Sequence, residues 1–195
     1  SQSLIQALGH TIAPQVPSLF TFAVPDERLK DMAGLSVDKA EVGIAGTKIS
    51  QKGPVLITHW GLSGPAILKL SAWGARVLHE KGYNAQIDIN WTGLKKTAVL
   101  EMLRKFKSNN PRKKLAVHAA APIPHRLWES LVMSIHVPVD HGWADLSNAE
   151  MERLADALCS GAYFMRGKST FKEEFVTCGG VRLDEIDFRT MESRV

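Results

Sequence analysis

Two cysteines in 195 residues, Cys159 and Cys178, are too few for a disulfide framework. They point to a reducing compartment, the cytoplasm. No apolar run is long enough to cross a bilayer as a helix. The first residues lack the basic start and apolar core of a secretory signal. The sequon Asn90-Trp91-Thr92 then reads as accidental. There is no internal repeat and no low-complexity tract. A G-x-G-x-x-G fingerprint is missing, because Gly43-Ile44-Ala45-Gly46 has the wrong spacing, so no dinucleotide-binding turn is expected in this chain. A phosphate loop is missing too. In the stretch from Gly161 to Ser169, five residues separate Gly161 from Gly167 where the loop needs four, and Tyr163-Phe164-Met165 reads as strand. His118, His125, His136 and His141 share one region, yet no pair has the i, i+4 spacing of a helical zinc site and no cysteine pair joins them. No metal site is expected.

What remains is an ordinary globular composition, 45% hydrophobic and 23% charged, with a mild net charge of +4. Such a charge permits an acidic partner without requiring one. The stretch on which the chain turns is Thr58-His59-Trp60-Gly61-Leu62-Ser63-Gly64-Pro65-Ala66. A strand over 55–58 is expected to run into a Gly-punctuated turn that opens a helix. Ser63 or Gly64 can cap it, and Pro65 suits its first turn. Ile67, Leu68, Leu70, Trp73, Val77 and Leu78 leave little polar face, so the helix reads as buried up to a stop at Gly82. Its free N–H groups would face anions or polarised ligand oxygens. A capped core helix would carry the same pattern.

Upstream, Leu4, Ile5 and Leu8 suggest a short helix stopped by Gly9. Residues 16–24 read as extended, and 26–32 as a helical turn. Strand pieces are expected at 42–44 and 48–50, with turns at Gly46 and at 51–54. Residues 85–91 alternate, Ile87, Ile89 and Trp91 inward. From 92 to 161 nearly everything reads as helix. Leu94, Val99, Met102, Leu103 and Phe106 share a face. Asn110-Pro111 opens a second helix and Pro124 a third, with Leu127, Trp128, Leu131, Val132 and Ile135 as its stripe. Ser147-Asn148-Ala149-Glu150 fits a capping box. Strands return at 163–165 and 174–177. The fold expected is α+β: a discontinuous β-barrel-like subdomain over 1–91 and 162–195 with one buried helix, interrupted by an all-helical subdomain over 92–161.

Four features invite chemistry. His59 stands at a strand end, where functional side chains often project, though a histidine beside Trp60 can equally be packed. Ser63 is not a nucleophile elbow, since a glycine follows it directly, and capping suits it better. Cys178 is expected to follow a strand and precede Gly179 and Gly180, which would let backbone approach a ligand, or it is simply a small buried residue at a strand end. Lys95, Lys96, Arg104, Lys105, Lys107, Arg112, Lys113 and Lys114 form a basic stretch opposed by Glu101. It reads either as a face that tracks phosphates or as a solvated surface without an aromatic platform.

Two segments carry a resemblance. Residues 58–66, and Val176-Thr177-Cys178-Gly179-Gly180-Val181 followed by Glu185-Ile186-Asp187 and Thr190-Met191-Glu192-Ser193, resemble the BaiN/YhiN-like family of bacterial NAD(P)/FAD-dependent oxidoreductases. Leu8-Gly9-His10 and Pro17-Ser18-Leu19 are similar to it too. The resemblance implies an insert, part barrel and part helical, that splits an FAD domain. It implies that His59, Gly61, Ser63 and Gly64, with Thr177, Cys178, Gly179 and Gly180, face the flavin or the substrate cleft. FAD and NAD(P)H would belong to the complete protein, and the partner of this chain would be the missing FAD domain. No tight FAD binding is expected of this chain alone. Both ends read as cut, so a piece of a longer protein is expected. The leading expectation is a region that covers the flavin and shapes the substrate pocket. The alternatives are a non-enzymatic module using the basic face 95–114 on nucleic acid or an acidic partner, and a scaffold or dimerisation domain.

Overall fold

The computed structural model describes residues 2–168 and 176–195. Six antiparallel strands form the main sheet: β2 (Phe22–Ala23), β3 (Ser36–Ile44), β4 (Ser50–Thr58), β5 (Gly61–Ser63), β6 (Asn84–Asn90) and β7 (Gly161–Arg166). Their spatial order is β2-β5-β4-β3-β6-β7. The two edges nearly meet. Ala23 N donates to Gly167 O at 3.0 Å, and Phe22 bridges to Lys168. Closure of this kind removes exposed strand edges. The interior is filled by the alternating inward residues, among them Val42, Val55, Ile57, Leu62, Ile87 and Ile89, all fully buried. The fold is α+β with a barrel-like sheet, as the sequence pattern implies.

A second, two-stranded ribbon pairs β1 (Ile12–Ser18) with β8 (Val176–Val181). It packs on α3 (Ala75–Glu80), where the Arg76 guanidinium donates to Pro14 O. The short β9 (Ile186–Asp187) and β10 (Glu192–Ser193) pair with each other, and α1 (Gln2–Ala7) ends before Gly9 as expected.

The helix after the organising stretch departs from expectation. It is two helices, α2 (Pro65–Trp73) and α3, broken at Gly74. A Cβ at Gly74 would lie 2.9 Å from Leu70 O and 2.3 Å from the side-chain end of Ile44, Cδ1, so the break between the helices favours glycine there. The pair is not apolar all round. Ala66, Ile67 and Leu70 are buried against β3, β4 and β5, but Trp73 is 75% exposed and Lys69 lies in solvent. Gly82 does stop α3, in the left-handed region at φ 57°, with Tyr83 N returning to Leu78 O.

Residues 51–54 are not a turn but the middle of β4. The β3–β4 register shifts between Val37 and Ala40, so Pro54 lies opposite the irregularity, where the ladder tolerates a missing donor. β3 is correspondingly longer than the piece at 42–44.

The helical block holds α4 (Lys96–Asn109), α5 (His125–Ser134) and α6 (Asn148–Cys159). Leu127, Trp128, Leu131, Val132 and Ile135 are buried as the stripe predicts. Leu94 precedes α4 and is largely exposed. The Ser147–Glu150 capping box forms in both directions. The helix expected from Asn110-Pro111 does not form. Residues 110–124 instead wrap two tryptophans that stack 5.9 Å apart, Trp128 and Trp143. Trp128 Nε1 donates to Leu115 O and Trp143 Nε1 to His118 O, while Trp143 N and Ala144 N bond Lys113 O and Pro111 O. Carbonyls engaged this way are not available to a helical ladder. α6 packs on β6 and β7, and one connected apolar core runs from the barrel into the helices.

Candidate functional site

The organising stretch is a tight β-hairpin. β4 ends at Thr58, His59 and Trp60 make the tip, and β5 returns with Gly61 opposite Thr58. Thr58 Oγ1 accepts from Gly61 N at 3.1 Å and Trp60 N at 3.4 Å, which fixes the tip. The expected strand–turn–helix is therefore interrupted by a strand. Ser63 lies in that strand opposite Leu56 and does not cap α2; Gly64, at φ 95°, occupies the N-cap without a side-chain bond. Two glycines of the stretch are held by neighbouring backbone. A Cβ at Gly61 would be 2.3 Å from Phe22 O, and one at Gly64 would be 2.9 Å from both Leu56 N and Pro54 O.

The tip borders a cleft of about 550 Å³. Thr58, His59 and Trp60 form one wall and the segment from Val24 to Ala33 the other. His59 and Trp60 are exposed, Trp60 by 62%. Val24 N donates to Trp60 O at 3.0 Å and joins the walls at their base.

Asp26 of the far wall belongs to an ion pair that sequence reasoning missed, with Arg28, which itself points away from the cleft. Asp26 caps the single-turn 3-10 helix Glu27–Leu29 by accepting from Arg28 N. Its two oxygens also take Arg28 Nε at 2.8 Å and Nη2 at 2.7 Å. Arg28 continues to Ala162 O at 2.5 Å and lies 3.9 Å over the Tyr163 ring. Burial works to raise the Asp26 carboxyl, but the Arg28 hydrogen bonds and charge outweigh it and hold it below its usual value. The hydrogen bond that Arg28 donates to Asp26 outweighs burial and raises the guanidinium further. Beneath this pair, burial pushes the Tyr163 phenol up to about 12, against the opposing pull of Arg28 and of the hydrogen bond from Trp91 Nε1 at 2.9 Å. The Asp-x-Arg spacing at a helical turn was the available signal.

The second expected segment, Thr177 to Gly180, belongs to the ribbon and not to the barrel sheet. Cys178 is half-buried opposite Val16. Cys178, Gly179 and Gly180 lie inside β8 and not at a strand exit; the strand expected over 174–175 lies outside the described residues. Gly179 is in the left-handed region at φ 122°, and a Cβ there would be 2.4 Å from Pro14 O. Around Gly180, which is half-buried, a Cβ would meet nothing within 4 Å among the described residues. The resemblance implies that the hairpin tip and the ribbon both face the flavin or the substrate cleft; in the fold they belong to different sheets.

At Gly61, Gly64 and Gly179 neighbouring backbone fills the space a Cβ would take, although Gly179 itself is exposed, and the chain has no G-x-G-x-x-G turn. His59, Trp60 and Gly180 leave surface for a covering contact. Among the described residues no three His, Cys, Asp or Glu side chains gather as a metal site.

A nearly closed barrel joined to a compact helical block, with an open cleft at one hairpin, defines a mixed domain of barrel-and-helix type. The chain belongs to the HI0933-like protein barrel and H2TH domain family, whose sequence profile matches residues 16–176. The resemblance read from residues 58–66 and 176–193 is borne out at this level. Among curated proteins, the chain is 26% identical over 192 residues to a ribosomal RNA dihydrouridine synthase of Haemophilus influenzae, covering 97% of this chain and 45% of that protein. It is 26% identical to the Escherichia coli protein of the same name, covering 98% and 46%. It is 24% identical to a 3-dehydro-bile acid delta(4,6)-reductase of Clostridium scindens, covering 98% and 47%. The chain spans less than half the length of these relatives. No helix among the described residues is long and apolar enough to cross a membrane.

Proposed function

We propose that this chain is the substrate-facing part of a flavin-dependent reductase. Other parts of a longer protein would hold the FAD, and this chain would lie over the flavin ring and wall the cleft where substrate is reduced. The observation that carries the reading is the alignment. Almost the whole chain matches under half of enzymes whose names, a dihydrouridine synthase and a delta(4,6)-reductase, both denote addition of hydrogen to a double bond. The missing G-x-G-x-x-G agrees with a cofactor cradle elsewhere.

When bound, the flavin supplies the hydride chemistry, with a nicotinamide as reductant. This chain's part is to bind, orient and exclude water. The cleft of about 550 Å³ falls within the roughly 300–1,000 Å³ typical of small-ligand sites. Trp60 offers a flat apolar face at its rim, and His59 a hydrogen-bonding ring beside it. Gly180 and the half-buried Cys178 would make the covering contact from the ribbon. The experiment is to express this segment with its flanking coding sequence. A protein that purifies with flavin absorbance, bleached by NADH or NADPH, supports the reading. A colourless protein that takes up no added FAD sinks it.

A further inference from the structure

Eight of the chain's 24 lysines and arginines fall between residues 95 and 114, with Glu101 as the one acid among them. Lys95 stands apart, exposed at the N-cap of α4, and the fold sorts the other seven. Lys96 is neutralised, 3.0 Å from Glu152 and 2.6 Å from Asp156. Lys107 Nζ is tied to Leu146 O at 2.6 Å. Arg104, Lys105, Arg112, Lys113 and Lys114 gather at one place instead. Arg104 and Lys105 stand on the exposed side of the last two turns of α4, and the turn just after the helix carries the other three. That turn folds back on the helix end, placing Lys113 Nζ 5.9 Å over the Phe106 ring.

All five side chains are exposed. Those of Arg104, Lys105, Arg112 and Lys114 make no hydrogen bond or ion pair among the described residues. Glu101 lies one turn before Arg104 and Lys105 and forms no ion pair with either. The turn is not loose. Lys113 O accepts from Trp143 N at 2.9 Å, Pro111 O from Ala144 N at 3.0 Å, and Leu115 N donates to His141 O at 2.9 Å. The negative end of the α4 dipole favours a cation or two in its last turn. Five unneutralised cations on a pinned backbone go beyond that, and stability alone gives no reason to crowd like charges.

We propose that the C-terminal end of α4 and its turn form a docking surface for the phosphate backbone of a folded RNA. The cluster itself calls for a polyanion. The choice of RNA rests on the reductase reading above, through the two relatives named for ribosomal RNA. On this inference the substrate is a base within an RNA and not a free small molecule. The basic end of α4 fixes the strand by its phosphates and carries no sequence information.

The test is binding of this chain to a fluorescently labelled ribosomal RNA stem-loop across a salt series. Each phosphate neutralised contributes about −0.7 to −0.9 to the slope of log K against log salt, so five contacts give roughly −3.5 to −4.5. Affinity then falls roughly 100- to 500-fold between about 50 and 200 mM salt. The variant R104Q/K105Q/R112Q/K113Q/K114Q is expected to lose at least about tenfold in low-salt affinity and most of the slope. The variant K39Q/K48Q/K52Q/K69Q/K81Q removes the same charge elsewhere and is expected to keep both. Should the first variant fold poorly, R112Q/K113Q/K114Q is read in its place. Absence of RNA binding at low salt, equal loss in both variants, or tighter binding to duplex DNA or anionic vesicles would overturn the proposal. Flavin content of the longer protein is scored separately. A flavin-bearing protein whose α4 end ignores RNA sinks this inference alone, whereas RNA binding with a colourless protein sinks the reductase reading and leaves the surface standing.

Discussion

His10 Nδ1 lies 2.9 Å from Glu185 Oε2, joining residues 175 positions apart. The same carboxylate accepts from Thr11 N, and His10 Nε2 meets Ser193 Oγ at 2.9 Å. One side chain thus ties the start of the described chain to β9 and β10. The hydrogen bond with His10 chiefly, then those with Thr11, hold the Glu185 carboxyl below its usual value. A depressed carboxylate stabilises above its unfolded pKa, and the contribution is lost as pH falls through the lower folded value. Glu185→Gln is expected to speed exchange of the Thr11 amide near neutral pH and to leave β4 and β6 unchanged. Wild type should approach the variant only in acid. Hydrogen exchange followed by mass spectrometry reads both, and identical Thr11 protection in the two proteins would refute the clamp.

The glycines separate by what surrounds them. Gly61→Ala puts a Cβ 2.3 Å from Phe22 O at φ 149°, combining a backbone collision with strain. It is expected to cost about 2–4 kcal/mol. Gly180→Ala meets nothing within 4 Å and carries strain alone, about 1 kcal/mol. Urea midpoints give the comparison. Equal losses would mean that close passage of β2 does not select glycine at 61.

Much of the fold was legible because burial writes periodicity. Ile87, Ile89 and Trp91, the α5 stripe and the Ser147–Glu150 box follow local rules that tertiary contacts reinforce. Most of what was misread depends on distant partners. Pro54 looked like a turn because its tolerance comes from a register shift in β3. Gly74 looked helical because a break after one helical turn pattern and before the next leaves no change in apolar periodicity. Asn110-Pro111 looked like a helix start because the groups that capture the carbonyls of Pro111, Lys113, Leu115 and His118 come from Ala144, Trp143 and Trp128, distant in the chain. At the candidate site, the stretch 58–66 stood out by its glycines, but it read as a turn opening a helix, so neither the hairpin nor the reason for its glycines was legible. Asp26 and Arg28 were passed over because an ion pair two residues apart gains meaning only with Tyr163 beneath it.

Trp60 separates function from stability. It is 62% exposed at the cleft rim, and its backbone N–H and C=O hold the tip. Trp60→Ala is expected to shift stability by less than about 1 kcal/mol, as is usual for surface positions. In the longer, flavin-loaded protein it should lower kcat/KM for substrate reduction at least about tenfold, the loss of one stacked ring at about 1–3 kcal/mol. Flavin reduction by the nicotinamide, measured without substrate, should be unaffected. A variant with unchanged substrate turnover would remove the cleft from the reaction.

Tyr163 tests the core beneath the ion pair through pH. Its hydroxyl accepts from Trp91 Nε1 inside the barrel, and burial pushes the phenol up to about 12, above the ordinary value near 10. The folded state therefore holds its proton where the unfolded chain releases it. The stabilisation is complete below pH ~10 and is lost progressively as pH rises toward ~12. Tyr163→Phe strands the indole donor, costing about 1–3 kcal/mol near neutrality. It also removes the titrating group, so its stability should fall less steeply between pH ~9 and ~11 than that of the wild type. Guanidinium unfolding across that window compares the slopes, with far-UV circular dichroism as the signal. Parallel curves for the two proteins would mean that Tyr163 reaches solvent and that the barrel end beside Arg28 is open.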